Sequence, residues 1–200
     1  MKLYLIRILA LSVVAGAVPA FAQDPTGTQP QPVQPTTPPT TQPGAMQGQL
    51  QNDNQIAAVL RAANKAEVKL ADYAAKRTKN DDVKTYAERV ATDYKGIDKN
   101  FDDLLGRINI KPQDAELGTR YTQNADATLA LWRDMSDAEF DKAYIDHEVS
   151  FHQQFVDTFD QQIVPNVKNS DLKTMVMSVR PTYVAHLDQA KRLQSRLVGS

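Results

Sequence analysis

Cysteine is absent from all 200 residues. That excludes any disulfide and any lipid anchor on an N-terminal cysteine, so the folded part must be held by its core. Runs of Lys or Arg are also missing. Nucleic acids and anionic membrane surfaces are bound mainly through clustered basic side chains, so neither is an expected partner. Glycine is scarce, at 8 residues. No glycine-rich phosphate loop, dinucleotide fingerprint or Ser-His-Asp order is recognisable.

What is present begins with a leader. Lys2 and Arg7 form a basic start, Ile8 to Val18 an apolar stretch, and Ala20-Phe21-Ala22 a small-x-small cleavage site. Residues 1–22 therefore read as a signal peptide cut after Ala22, giving a periplasmic or secreted protein. The apolar stretch is too short to span a bilayer and Pro19 breaks it, so no integral membrane span is expected after cleavage. The leader carries Lys2 and Arg7 and no acid, so 23 basic and 24 acidic residues become 21 and 24, a net charge of −3.

From 23 to 51 the composition changes. Pro25, Pro30, Pro32, Pro35, Pro38, Pro39 and Pro43 alternate with Gln and Thr, and Asp24 is the only charge. With no apolar periodicity to bury, this segment is expected to be a disordered linker with polyproline character.

Residues 52–200 carry the helical period. A first helix is expected from Asn52 or Asp53 to about Lys79, with Ile56, Leu60, Ala63, Glu67, Leu70 and Ala74 recurring three and four apart. A second opens at Asn80 or Asp81, buries Val83, Ala87, Val90, Tyr94, Ile97, Phe101 and Leu104, and stops near Gly106. A short crossover helix follows Pro112 and Asp114, with Leu117, Tyr121, Leu129 and Trp132. A third long helix opens with the capping box Ser136-x-x-Glu139, buries Phe140, Tyr144, His147, Phe151, Phe155 and Thr158, and closes at Pro165. The fourth, capped by Ser170, runs through Leu172, Val176, Val179, Tyr183, His186, Ala190, Leu193 and Leu197, with Pro181 expected to kink it. The fold class is all-α: a ferritin-like antiparallel four-helix bundle with an extra crossover helix, preceded by a disordered tail.

Each long helix carries one polar, ligand-capable side chain on its apolar stripe: Glu67, Tyr94, His147 and His186. Burying such a group costs on the order of 2–7 kcal/mol unless it is paired. Glu67 and Tyr94 lie thirteen and fourteen residues from the turn at Asn80, and His147 and His186 twenty and nineteen from the turn near Val167. At 1.5 Å of rise per residue, each hairpin holds its two residues at matched height. Two readings stay open. The layer binds a transition metal such as iron, zinc, copper or manganese, with these four as ligands, or it is a hydrogen-bonded core layer.

A di-iron centre is not expected. It would need Glu-x-x-His on two helices, whereas Tyr144 and Tyr183 precede the two histidines by three. His147-Glu148-Val149-Ser150-Phe151-His152 is not a zinc-protease helix either, since its histidines are five apart and not four. Glu148 and His152 read as an ordinary surface pair. Asp93 and Asp146 flank the layer as acceptors for imidazoles, and Met175 and Met177 read as packing residues.

Several runs resemble one family: Ala66-Glu67-Val68-Lys69-Leu70, Val83-Lys84-Thr85-Tyr86-Ala87, Asp93-Tyr94, Phe140-Asp141-Lys142-Ala143-Tyr144, Asp146-His147, Leu172-Lys173, and Pro181 followed by His186-Leu187. In this order and spacing the chain from Asn52 to Leu197 resembles the exported bacterial ferritin-like domain-of-unknown-function family DUF4142, whose members are often labelled outer membrane proteins. The resemblance implies a helical bundle in the cell envelope and, by analogy to ferritin-like relatives, metal binding; it brings no reaction. Members typically carry Asp-His where this chain has Asp93-Tyr94, and a phenol is a poorer general ligand than an imidazole.

The expected function is a non-catalytic binding or envelope-maintenance role, under stress among other conditions, with metal held in the central layer. Two rivals remain. One is a metal-dependent oxidoreductase acting on oxygen species or metal ions; the other is an interaction module whose Pro/Gln tail and outer helix faces engage a cell-envelope protein.

Overall fold

Polar side chains that satisfy the first backbone N–H groups set where the helices start. In the computed structural model, which describes Leu50 and residues 52–198, Asn52 accepts from the Gln55 amide at 2.9 Å and opens α1 (Asp53–Arg77). Asn80 accepts from the Asp82 and Val83 amides and opens α2 (Asp81–Arg107). α3 (Glu116–Trp132) follows a loop. The expected capping box is present, with Ser136 and Glu139 bonded reciprocally at the start of α4 (Asp137–Thr158). α5 (Ser170–Val198) is capped by Asn169 and not Ser170: the Asn169 Oδ1 accepts from the Asp171 and Leu172 amides, both at 3.0 Å. The leader expected at 1–22 and, apart from Leu50, the linker expected at 23–51 lie outside the described residues.

α2 stops at Arg107, next to the expected end near Gly106; beyond it Asn109 takes the left-handed conformation (φ 54°) and the Ile110 amide reaches back to the Leu105 carbonyl at 3.1 Å. Two details depart from the sequence reading. α4 passes into a π-helical turn, Phe159–Ile163, that keeps Phe159 and Ile163 both in the core before Pro165. The crossover helix is not short, at 17 residues.

The length of α3 decides the topology. It runs beside α1 for most of the bundle's height, from Gly118 against Ala58 and Ala62 up to the Lys69–Asp126 ion pair. The chain therefore reaches the opposite end before α4 begins. The α1–α2 turn meets the start of α4: Arg77 pairs with Asp137 and donates to the Met135 carbonyl, and Thr78 donates to Asp141. At the other end the Asp53 carboxylate accepts from the Lys168 and Asn169 amides, both at 2.8 Å. The two hairpins thus lie turn to opposite end. Glu67, Tyr94, His147 and His186 still share a level because each sits near the middle of its helix.

The core is built from Ile56, Leu60 and Leu70 of α1, Val83, Val90 and Phe101 of α2, Phe140, Ile145 and Phe155 of α4, and Leu172, Val176 and Leu193 of α5. Each such side chain contributes about 1.5–3 kcal/mol on burial. Among the described residues there is no strand, and no helix is long and apolar enough to cross a membrane. The fold is an all-helical bundle.

Candidate functional site

Glu67 enters the core from the middle of α1 and is 1% exposed. One of its oxygens, Oε1, lies 3.5 Å from His147 Nε2 on α4; the other, Oε2, has no hydrogen-bond partner. His147 is partly exposed, and its ring meets Trp132 of α3 edge-on and stacks on Phe151. This histidine therefore faces α1 and α3.

The neighbouring face of α4 carries a second polar pair. Glu148 and His152 are completely buried and point toward α2 and α5. The Tyr86 hydroxyl donates to Glu148 Oε2 at 2.9 Å and also reaches the His186 carbonyl at 3.3 Å. Glu148 Oε1 has no partner. Burial first, and the nearby Glu67 carboxyl second, raise the Glu148 carboxyl well above the ordinary range, so it holds a proton to unusually high pH. Burial and the Glu148 carboxyl likewise raise Tyr86 and Tyr144.

His152 is fixed by two bonds that demand one tautomer. Its Nδ1–H donates to the Glu148 carbonyl at 2.9 Å, which leaves Nε2 to accept from the Tyr94 hydroxyl at 3.1 Å. Burial lowers this imidazole to about 3, so it stays neutral.

His186 of α5 is 1% exposed and stacks on Tyr94 with ring centroids 5.8 Å apart. Its Nε2 lies 3.3 Å from Asp93 Oδ2, outside hydrogen-bonding geometry, so both ring nitrogens lack a partner. Burial lowers it to about 4, against the pull of Asp93.

The four residues expected to form one layer thus fall into two pairs, Glu67 with His147 and Tyr94 with His186. Glu148 and Tyr86 connect them. The surface pair expected at Glu148 and His152 is the buried centre of the cluster, because α4 is covered on two sides. Its stripe Tyr144, Glu148, His152, Phe155, Phe159 has helical spacing as regular as the one through His147 and Phe151. Of the flanking acids, Asp93 does approach an imidazole, whereas Asp146 pairs with Lys142 and accepts from Gln194.

The donor set can be tested against a metal ion. Tyr94 does not suit a phenolate ligand: its hydroxyl serves His152, and burial raises its pKa. Among the described residues, no three His, Asp or Glu side chains already surround one point. The unpartnered oxygens Glu67 Oε2 and Glu148 Oε1 suit a cation by their chemistry, since a buried carboxyl needs either a proton or a counter-charge. His147, in contact with Glu67, adds an imidazole.

A family model described as Domain of unknown function (DUF4142) matches residues 37–193. No curated protein and no solved structure matches the chain.

Proposed function

The chain belongs to the DUF4142 family, and from that premise we propose that it is a non-catalytic binding protein of the bacterial cell envelope, holding one divalent transition-metal ion in its core. Glu67 and Glu148 are the anionic ligands and His147 the neutral one. The observation that carries this reading is the pair of buried carboxyls, each with one oxygen that nothing among the described residues satisfies. In the metal-free protein Glu148 keeps a proton, and an arriving cation takes that proton's place and draws the two carboxylates together. Binding therefore releases a proton at any pH where Glu148 is protonated in the metal-free protein. Export follows from the leader pattern at Lys2, Arg7 and Ala20-Phe21-Ala22.

The test is elemental analysis of protein purified from a periplasm without an affinity tag and dialysed exhaustively, beside a Glu67→Gln/Glu148→Gln double variant. Near-stoichiometric metal in the wild type and none in the variant is expected. No metal in either, and no rise in melting temperature on adding iron, zinc, copper or manganese, would make the cluster a structural polar layer.

A further inference from the structure

A cleft of about 540 Å³ opens between α2 and α5, and His186 and Asp93 are in its lining. Gly96 and Ala185 keep it open; nothing lies within 4 Å of where a Gly96 Cβ would stand. Thr92, Asn100 and Thr182 supply polar walls able to hold water. This cleft is separate from the Glu67–Glu148 pair, which lies among α1, α4 and Tyr86.

We propose that Asp93 and His186 form a second, solvent-facing site for a borderline divalent cation such as zinc, nickel or copper, with water in the remaining coordination positions. Three observations converge on it. Both nitrogens of the buried His186 ring lack hydrogen-bond partners, a deficit that one coordinate bond at Nε2 would remove in part. The 3.3 Å between Nε2 and Asp93 Oδ2 is too poorly aligned for a hydrogen bond. It equals the separation of about 3.3 Å expected between two ligands on one tetrahedral zinc. Finally, the ring is held rigidly, stacked on Tyr94 and edge-on to Tyr86, so the donor needs no ordering when an ion arrives. Burial also keeps the imidazole neutral with its lone pair available.

One group opposes the site. Arg89 Nε lies 3.6 Å from the same Asp93 Oδ2 and must yield to the ion. That gives a signature no packing role would produce: removing the Arg89 charge tightens binding.

The test uses the intact chain carrying Glu67→Gln/Glu148→Gln, which removes the interior site, titrated with zinc by calorimetry while the His186 ring nitrogens are followed by NMR. One zinc is expected to bind and shift Nε2. Adding Asp93→Asn should weaken it roughly tenfold or more, and adding Arg89→Gln should tighten it several-fold. Asp93 and Arg89 lie on the outer side of α2, and circular dichroism confirms that each variant folds. No binding, no Nε2 shift, or an affinity indifferent to both substitutions would overturn the proposal. Because the background lacks the interior carboxylates, failure here is distinct from failure of the interior metal site.

Discussion

The Tyr86 hydroxyl and Glu148 Oε2 stand 2.9 Å apart in the buried centre of the bundle, joining α2 to α4. Tyr86 donates and the carboxyl oxygen accepts, so Tyr86→Phe removes the hydroxyl that serves that oxygen, beside Oε1, which has no partner among the described residues. The substitution should cost about 1–3 kcal/mol, the usual consequence of stranding a buried acceptor. Urea unfolding checks it. Glu148→Gln keeps an acceptor of the same shape and should cost less than Tyr86→Phe.

The pH dependence of stability follows from three buried groups. Glu148 has a raised pKa in the folded state, so between about 4.5 and its folded value the native protein holds a proton that the unfolded chain has lost. His152 and His186 are lowered to about 3 and about 4, so between those values and 6.5 the unfolded chain holds two protons the native protein refuses. Between pH 4.5 and 6 the two histidines put the unfolded chain ahead by more than Glu148 takes back, so metal-free stability should rise with pH. Above 6.5 these two histidines are neutral in both states and their contribution ends, while Glu148 pulls stability down with pH until its folded pKa is passed. Chemical unfolding at half-unit intervals should show the rise ending near pH 6.5. In Glu148→Gln the rise below pH 6 should steepen, because the proton held by the native carboxyl is gone, and an unchanged slope would mean that another group holds it.

At the turn end of the bundle, the Thr78 hydroxyl donates to Asp141, and both residues are buried. This bond ties the α1–α2 turn to α4 and fixes the height at which Glu67 meets His147. Thr78→Val keeps the shape but strands the Asp141 acceptor, and should destabilise by about 1–3 kcal/mol. Ser136→Ala, which removes only a cap on exposed backbone, should cost about 0.5–2 kcal/mol. Thermal unfolding of the two variants compares them directly.

Most of the bundle was legible because α2 and α5 each bury a single stripe, and the wider buried face of α1 contains one; apolar residues three and four apart mark such a stripe well. α4 was half legible for a physical reason. It is covered by α1 and α3 on one side and by α2 and α5 on the other, so two stripes are buried, and the apolar pattern does not say which polar residues are central. His147 was found and Glu148 with His152 were placed outside, when they lie deepest. The level of the four polar residues survived a hairpin arrangement that counting from the turns does not determine, since mid-helix positions coincide either way. α3 shows weak periodicity because it packs mainly on α1; Leu131, on its outer side, is 71% exposed.

Gly118 faces α1 at the start of that crossover helix. A Cβ built there would stand 3.4 Å from the Ala62 Cβ and 3.6 Å from the Ala58 carbonyl oxygen, which is ordinary contact and not a clash. Glycine in a helix costs about 0.5–1 kcal/mol relative to alanine, through the extra freedom of the unfolded chain. Gly118→Ala should therefore stabilise the protein by roughly that amount, with no change at the buried cluster. A longer side chain has no such room, because the atoms facing it belong to the α1 backbone and a methyl that cannot turn away. Gly118→Leu should push α3 off α1 and destabilise by about 1–3 kcal/mol. Trp132, at the far end of α3, packs on His147, so its fluorescence should change in the leucine variant and not in the alanine variant. Equal melting temperatures for the two variants would mean that α3 is less closely seated on α1 than these distances require.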